Sequence, residues 1–210
     1  MEMHSAKLVW ITPNAENLIA KIARVSNPDN EDNIETAPRL IRYLIKNKHW
    51  SPMEMASMCV EINTTRAISP QILRHRSFSF QEFSQRYSVA THLEIPDLRR
   101  QDMKNRQNSI DDLDPAVVEG LQDEIDGAFV LMETLYTTML SQGVAKECAR
   151  SILPLNTGTR LYMSGTIRSW LHYCDLRCAN GTQEEHRLIA QACKDILAEQ
   201  VPDIYEAMFC

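Results

Sequence analysis

The sequence predicts a helix-rich α+β fold that forms one domain over residues 1–210. Apolar residues recur every three or four positions through much of the chain, which is the spacing of amphipathic helices. A few short runs have the composition of strands, and no repeat, low-complexity tract or linker divides the sequence. The 210 residues, of which 44% are hydrophobic and 24% charged, suffice for one core of ordinary globular composition.

The first half of the chain is predicted to mix strands, helices and turns. Asn14 precedes a helical pattern with one apolar face, and we predict that its side chain caps that helix. Trp50 and Pro52 in HWSPME predict a turn, and the Asn, Asp and Pro residues of 27–33 predict a loop. We predict strands at 7–12 and 55–64, helices at 15–25, 38–48 and 70–75, and a strand or loop at 78–87.

The second half is predicted to be mainly helical. Residues 99–114, RRQDMKNRQNSIDDLD, have the polarity of a mobile insert, and the sequence gives them no function. Pro115 suits the first turn of a long helix, and Gly143 is expected to end it. Its apolar positions are Val117, Leu121, Ile125, Phe129, Met132 and Leu135. We predict helices at 115–142, 144–152, 167–177, 184–199 and 202–209, and a strand at 157–164.

Charge and cysteine content disfavour several classes of protein. The net charge of −6 argues against binding along a nucleic-acid backbone, which usually requires a basic surplus. Cys174 and Cys178 lie four apart without a second such pair, so we expect six reduced thiols rather than a zinc site. The sequence has no signal-peptide pattern and no apolar run of about 18 residues. We therefore expect a cytoplasmic protein without a membrane span or a bound metal.

Cations are concentrated in the segment 74–87, RHRSFSFQEFSQRY, among three phenylalanines. Arginine side chains bind phosphate through paired N–H groups, so this segment suits a small anion with an apolar part. Gln71 lies one helical turn before Arg74, so both side chains could face one ligand. His75 lies between two arginines, and these like charges disfavour its protonated form.

The end of the same segment has two interpretations. If residues 78–87 form a strand, Glu82, Ser84 and Arg86 share one face and offer an acceptor, a hydroxyl and a cation. The alternative is a solvated ladder of Arg–Glu salt bridges that binds no ligand. The residues alone do not decide between the two.

A second group of cations lies in the last third of the chain. Arg168, His172 and Asp175 have the spacing i, i+4, i+7 and share one helical face. Arg177 lies at the end of the same helix, where a cation also stabilises the helix dipole without any ligand. Arg150, in CARSILPLN, either extends over its apolar neighbours or presents its guanidinium to a cleft.

The turn HWSPME places His49, Ser51 and Glu54 close together, which raises the question of a hydrolase. The chain has no G-x-S-x-G motif and only six glycines, so a serine nucleophile is disfavoured. The same scarcity of glycine disfavours P-loop and dinucleotide-binding fingerprints. A nucleotide would have to be bound by side chains, above all by arginine.

The run RHRSFSFQEFS resembles the RHR-x7-S signature of the flavin-dependent thymidylate synthases. Further blocks that resemble this family follow one another in the same order over residues 7–209. They are ARVS at 23–26, HWSPME at 49–54, ECARSILPLN at 147–156, RS at 168–169 and LR at 176–177, followed by Gln183. The chain departs from residues that are common in the family at Gln81, Gln85, Thr166, His172 and Gly181.

The resemblance implies a particular chemistry and assembly. A member of this family methylates dUMP to dTMP with methylenetetrahydrofolate as carbon donor, and it releases tetrahydrofolate. FAD is the redox cofactor and NADPH the reductant. The resemblance also implies a small, mostly antiparallel sheet and a homotetramer whose active sites combine several subunits. Neither a stable nucleic-acid partner nor a membrane is expected.

The resemblance also implies roles for individual residues. Arg177 is the expected catalytic residue, because it would hold the uracil of dUMP and stabilise its ionised N3. His49 would lie near the flavin and the folate, and Ser84 would bind substrate rather than act as a nucleophile. The residues expected to bind dUMP are Gln71, Ile72, Leu73, Arg74, Glu82, Phe83, Ser84, Gln85, Arg86, Arg150 and Arg177. The residues expected to bind FAD are Ser51, Arg74, His75, Arg76, Glu82, Thr166, Ile167, Arg168 and His172.

Two other interpretations of the sequence compete with this one. A nucleic-acid-binding module could use the phenylalanines of residues 74–87 as stacking platforms, but the net charge of −6 argues against it. A degenerate member of the family could bind FAD and dUMP without transferring carbon. The presence of His49, Ser84 and Arg177 together argues against such decay.

Overall fold

The computed structural model describes residues 3–90 and 92–210, and it contains six strands and eight helices within them. The strands are β1 (Ser5–Ile11), β2 (Ser57–Thr65), β3 (Ser79–Glu82), β4 (Arg100–Gln101), β5 (Ser109–Ile110) and β6 (Gly158–Thr166). The helices are α1 (Ala15–Ala23), α2 (Ala37–Lys46), α3 (Ser69–Ile72), α4 (Pro115–Ser141), α5 (Lys146–Ala149), α6 (Ile167–Arg177), α7 (Glu184–Gln200) and α8 (Pro202–Phe209). Short 3₁₀ turns lie at Pro28–Asn30, Ser51–Glu54 and Arg150–Ile152.

The main sheet has the strand order β1-β2-β6-β3, and all its neighbouring strands are antiparallel. The central strands β2 and β6 pair along their whole length, from Ser57 opposite Thr166 to Thr65 opposite Gly158. Alternate residues of β2 are fully buried, as period-two packing on one sheet face requires. The small antiparallel sheet expected for this chain is therefore confirmed.

The core lies between this sheet and the helices α6 and α7, with α1, α2 and α8 packed beyond them. Trp170 of α6 is fully buried, and its indole Nε1 donates a hydrogen bond to the Met58 carbonyl at 3.0 Å. The ring of Phe78 packs against Trp170 and lies directly on Gly165. A Cβ at Gly165 would be 2.5 Å from that ring, so only glycine allows this approach.

Most predicted elements are present with bounds within a few residues, and α6 and α8 have the predicted bounds. The capping role predicted for Asn14 is wrong. Asn14 does precede α1, but its φ of 51° is left-handed, and its side chain makes no capping hydrogen bond. A capping side chain normally requires an extended backbone at this position, which explains the difference.

The strand interpretation of residues 78–87 is wrong beyond Glu82. The Ser84 carbonyl accepts hydrogen bonds from the backbone N–H groups of Tyr87 and Ser88, at 3.1 and 3.0 Å, so the chain turns there. Glu82, Ser84 and Arg86 consequently do not share a strand face. The helix predicted at 70–75 also ends early, at Ile72, so Gln71 and Arg74 do not lie on one helix.

The second half of the chain differs from prediction in two places. The helix predicted at 144–152 is divided into α5 and the 3₁₀ turn Arg150–Ile152. The polar segment 99–114 contains the hairpin β4–β5, closed by an ion pair of Arg100 and Asp112 at 2.6 Å. No described helix combines the length and apolarity needed to cross a membrane.

Candidate active site

The end of α6 and the segment after α3 meet at one hydrogen bond. Arg177, the last residue of α6, donates through its Nε to Nε2 of His75 at 2.9 Å. An arginine Nε–H can only donate, so the accepting nitrogen of His75 carries no proton. Within residues 3–90 and 92–210 the Arg177 side chain makes no other hydrogen bond or ion pair. Its two terminal nitrogens are therefore available to a ligand.

The protonation state of His75 follows from its surroundings. Burial is the largest factor that lowers the pKa of His75, from 6.5 to about 4, and the charges of Arg177 and His172 add to it. The predicted direction of the shift is confirmed, but its main cause is burial rather than the adjacent arginines. His75 is therefore a neutral imidazole at physiological pH.

Aromatic residues hold the His75 ring in place. Tyr173 of α6 packs edge-on against it, with ring centroids 4.9 Å apart, and the ring of Phe78 is also edge-on to it, with centroids 6.5 Å apart. The Tyr173 hydroxyl is hydrogen-bonded to Nε2 of His186, at 3.1 Å. His186 is fully buried in α7, and burial lowers its pKa to about 3. Burial also raises the pKa of Tyr173 well above its usual value, so the phenol keeps its proton.

A cavity of about 480 Å³ opens beside α6. We call it the α6 cavity, and it is lined by Trp50, Glu54, Ser77, Arg168, Ser169, Leu171, His172, Asp175 and Met208. Arg168, His172 and Asp175 all line it, so the shared helical face predicted from their spacing is confirmed. The carboxylate of Glu54 forms an ion pair with Arg168 and orients its guanidinium along the cavity wall.

The start of α6 is fixed by local hydrogen bonds. The Thr166 side chain caps the helix by accepting from the Ser169 backbone N–H at 3.3 Å. The Ser169 hydroxyl donates to the Ser77 carbonyl, also at 3.3 Å, and so ties α6 to the segment that carries His75. Ile167 is fully buried, and its N–H donates to the Ala56 carbonyl at 2.9 Å.

The turn after β3 forms a second, more open cavity of about 370 Å³. Ser84 and Ser88 contribute hydroxyl groups to it, and Arg160 and Tyr162 of β6 form its opposite wall. Gln85 is 7% exposed, and its Nε2 is a buried donor without a partner in the described chain. A buried donor of this kind is costly unless a ligand or water accepts from it.

Glu82 already has partners within the chain. Its carboxylate forms an ion pair with Arg66 at 2.8 Å and accepts from the Thr159 hydroxyl at 3.0 Å. Arg66 also donates to the Phe83 carbonyl at 2.8 Å, which fixes the strand end before the turn. This partly buried network, rather than an exposed Arg–Glu ladder, orients the residues that precede Ser84.

Arg86 and Arg150 come from segments that contact each other. The Arg86 guanidinium pairs with the Glu147 carboxylate at 3.0 Å, and Glu147 lies one turn before Arg150. Both partners are more than half exposed, so the pair is free to exchange for a ligand. The two arginines thus lie on neighbouring segments of one chain.

Comparison with known proteins identifies the family. A family model described as thymidylate synthase complementing protein matches residues 7–203. The flavin-dependent thymidylate synthase of Synechocystis is 52% identical over 193 residues, covering 92% of this chain and 89% of that protein. A probable flavin-dependent thymidylate synthase of Paramecium bursaria Chlorella virus 1 is 49% identical over 212 residues, covering 97% of this chain and 98% of that protein. The chain belongs to the flavin-dependent thymidylate synthase family.

A solved structure has the same fold as this member of the thymidylate synthase family. The crystal structure of the UMP/dUMP methylase PolB from Streptomyces cacaoi, bound with 5-Br dUMP, matches with a TM-score of 0.86 at 26% sequence identity. The match covers 99% of this chain and 96% of that chain. The family resemblance found in the sequence is thus confirmed, and the chain is an enzyme.

The residues expected to bind ligands in a thymidylate synthase of this family are gathered unevenly. Arg74 and Arg76 are exposed, and neither forms an ion pair within the described residues. The Gln71 side chain donates to the Gln183 side chain at 2.7 Å, next to the segment of His75.

Ile72 is fully buried like Ile167, so both could reach a ligand only through backbone atoms. Ser51, Leu73 and His49 are exposed, and the His49 ring lies edge-on to Tyr43 at 5.9 Å.

Other features near the site were not found by sequence analysis. The sequence predicts only a turn at Trp50, although this residue lines the α6 cavity together with Ser77. Arg66 and Arg160 lie outside the recognised motifs, and a strand register is needed to bring Arg160 opposite the Ser84 turn. A further cavity, of about 780 Å³, lies between residues 97–111 and α7, and none of the expected site residues lines it. Within the described chain no cluster of His, Cys, Asp and Glu side chains could hold a metal ion.

Proposed function

We propose that this chain methylates dUMP to dTMP, with methylenetetrahydrofolate as carbon donor, FAD as redox cofactor and NADPH as reductant, and releases tetrahydrofolate. The observation that carries the proposal is the contact of Arg177 with His75, which joins the signature segment to the end of α6. Membership in the flavin-dependent thymidylate synthase family supports the reaction class. The structural similarity to a UMP/dUMP methylase bound with 5-Br dUMP supports the nucleotide substrate.

In this proposal Arg177 is the catalytic residue. Its guanidinium is fixed through Nε, and its two terminal nitrogens would face the edge of the uracil ring. A fixed cation beside N3 stabilises the ionised ring, which is the form that reacts with the carbon donor. Such preorganised charge is an effective form of catalysis, because no reorientation is needed as the negative charge develops.

The phosphate and sugar of dUMP would lie along the turn after β3. Ser84 and the unpartnered Nε2 of Gln85 supply donors there, while Arg86 would exchange Glu147 for the phosphate. Arg150 lies on the adjoining segment and would add a second cation. The remaining dUMP-binding residues that we propose are Gln71, Ile72, Leu73, Arg74, Glu82 and Phe83.

The residues around the α6 cavity fit FAD. A dinucleotide pyrophosphate requires cationic donors, and Arg168 and His172 line the cavity while Arg74 and Arg76 have no ion pair in the described chain. We therefore propose that FAD is held by Ser51, Arg74, His75, Arg76, Glu82, Thr166, Ile167, Arg168 and His172. When bound, FAD supplies the reducing equivalents that turn the transferred carbon into a methyl group. His49 would lie toward the folate.

We further propose that residues 1–210 form one catalytic domain and that four copies assemble. The long helix α4 supports assembly, because Val117, Leu121, Leu131 and Leu135 lie on one face of it and are all more than 40% exposed in the single chain. Exposed apolar residues along one helix indicate a protein interface. The six cysteines are free thiols, which is typical of a reducing compartment and supports a cytoplasmic location.

Turnover assays with the purified protein test the proposal directly. We would supply FAD, methylenetetrahydrofolate and NADPH, and measure NADPH oxidation and dTMP formation with and without dUMP. Oxidation that depends on dUMP, together with dTMP as product, is the expected result. A bound flavin that does not respond to dUMP would instead identify a degenerate member that has lost carbon transfer. A protein that binds no flavin at all would overturn the proposal.

A further inference from the structure

We propose that His75 is a positioning residue for Arg177, in addition to any contact that it makes with FAD. The inference rests on the catalytic role proposed for Arg177. It depends on the hydrogen bond from Arg177 Nε to His75 Nε2, at 2.9 Å, and on the packing that fixes the His75 ring.

The direction of this hydrogen bond defines the tautomer of His75. Guanidinium nitrogens carry protons and cannot accept, so Nε2 of His75 must be the unprotonated nitrogen. The proton of the neutral imidazole is then on Nδ1. A doubly protonated His75 would place an N–H and a positive charge against Arg177, and the hydrogen bond would be lost.

The surroundings of His75 favour this neutral form. Arg177 and His172 contribute positive charge from α6, and His186 of α7 lies 6.2 Å from the ring. The Tyr173 ring packs against the imidazole, and no carboxylate in the described chain raises the pKa of His75. The site thus keeps His75 as a neutral acceptor over the working pH range of an enzyme.

The placement of His75 is also determined by α6. Tyr173 and Arg177 are four residues apart and lie on the same face of this helix, one turn from each other. His75 contacts Tyr173 through its ring and Arg177 through Nε2, so one helical turn sets both contacts. The buried hydrogen bond of Tyr173 with His186 in turn fixes the phenol ring.

This arrangement has a consequence for both proposed ligands. With Nε engaged by His75, the guanidinium plane of Arg177 is held while both terminal nitrogens remain available to the pyrimidine. For FAD, His75 offers only one polar group, the N–H of Nδ1. Loss of the acceptor should therefore affect the chemical step on dUMP more than the binding of FAD.

Two substitutions at the same position separate the acceptor from the packing. His75→Phe keeps an aromatic ring against Tyr173 but removes the acceptor, whereas His75→Gln retains a side-chain carbonyl at a similar reach. We expect His75→Phe to lower kcat by about tenfold to hundredfold, the range found for residues that orient metal ligands. His75→Gln should retain most of the activity, and the affinity of both variants for FAD should be similar.

The same pair of variants can contradict the proposal. If His75→Phe and His75→Gln lose kcat equally, the acceptor has no positioning role. If the loss appears mainly as weaker FAD binding that saturating FAD corrects, His75 acts only as a cofactor ligand. The pH profile of kcat gives a further readout. Protonation of His75 should lower kcat of the wild type as the pH falls toward about 4, and His75→Phe should lack this acid limb.

A spectroscopic experiment tests the inference without any turnover. In wild-type protein with isotope-labelled arginine and histidine nitrogens, an N–H···N hydrogen bond gives a scalar coupling between Arg177 Nε and His75 Nε2. We expect this coupling, together with the chemical shift of an unprotonated Nε2. Their absence would overturn the inference even if dTMP is formed. Their presence in a protein that makes no dTMP would leave the hydrogen bond in place but remove the proposed function.

Discussion

The helices α6 and α4 use apolar residues in opposite ways. Five of the 11 residues of α6 are buried inside the chain, including Trp170 and Tyr173. Only Tyr136 is buried among the 27 residues of α4. The comparison indicates that α6 is packed within its own chain and can hold Arg177 in a fixed position, whereas the exposed apolar residues of α4 are the basis of the proposed assembly.

The largest expected effect concerns the fixed end of α6. Arg177→Ala removes the cation that we place beside N3 of the uracil, so dTMP formation should fall by about 100-fold to 1,000-fold. Folding and FAD binding should persist, because Arg177 lies at the end of the helix and outside the buried core. Steady-state kinetics, circular dichroism and flavin fluorescence would measure the three properties.

Arg187→Ala in α7 provides a matched control for this substitution. Arg187 is likewise a helical arginine, but its guanidinium pairs with Glu184 at 2.5 Å and lies outside the α6 cavity. Its removal should leave turnover close to that of the wild type. Full turnover by Arg177→Ala would show that the catalytic role belongs to another residue.

The second prediction tests the exposed face of α4. Leu131 and Leu135 are one turn apart and are 70% and 49% exposed, so we expect both to be covered in the assembly. The double substitution Leu131→Glu/Leu135→Glu should dissociate the protein into smaller species that remain folded, because burial of two unpaired charges is strongly unfavourable. Native mass spectrometry and light scattering would measure the assembly.

Thr137→Glu is the corresponding control on the other side of α4. Thr137 is exposed and points away from Leu131 and Leu135 along the helical wheel. The control should not change the mass of the assembly. If the double leucine variant also keeps the wild-type mass, α4 is not the interface, and its contrast with α6 needs another explanation.

The third prediction concerns the pH dependence of the buried residues behind α6. His186 has a pKa of about 3 in the folded protein instead of 6.5, mainly because of burial. The unfolded chain therefore binds the proton more readily, and the free energy of unfolding falls as pH decreases from 6.5 toward 3. His186 contributes up to about 1.4 kcal/mol per pH unit within this window. The lowered pKa of His75 acts in the same direction.

Urea unfolding at a series of pH values would measure this dependence. Comparison of the wild type with His186→Gln isolates the contribution of His186, because other titrating groups are common to both proteins. The variant should show a shallower decrease of stability with falling pH. Equal slopes for His186→Gln and the wild type would contradict the assignment.

The fourth prediction tests the packing of the Phe78 ring on Gly165, next to His75. A Cβ at Gly165 would lie 2.5 Å from the Phe78 ring, which is itself packed against Trp170. Gly165→Ala should therefore displace Phe78 and lower the free energy of unfolding by about 1–3 kcal/mol. Chemical denaturation would measure the loss. Gly127→Ala, in the middle of α4 with open space around it, should instead leave stability unchanged or increase it.

Local patterns in the sequence were sufficient for α6 and α8, whose apolar spacing and flanking residues define both ends. The contact of Arg177 with His75 could not be predicted in this way, since 102 residues separate them. Only the resemblance to a family placed both in one site. The turn at Ser84 was missed for a different reason, because the alternation of Glu82, Ser84 and Arg86 imitates a strand while hydrogen bonds to the Ser84 carbonyl turn the chain. Tertiary contacts therefore determine the structure at the positions where local periodicity does not predict it.

The smallest effect is expected at the start of α4, where stability depends on a local contact rather than on a core. The Asp114 carboxylate accepts from the Ala116 backbone N–H at 2.8 Å and caps the helix. Asp114→Ala should lower stability by about 1 kcal/mol, as for other N-caps, and Asp114→Asn should retain most of it. Because α4 is barely buried in its own chain, the loss should appear as fraying of its first turn in hydrogen exchange, while α6 keeps its protection. Equal loss of protection in both helices would show that α4 and α6 unfold as one unit, and that the difference in their burial does not separate their stabilities.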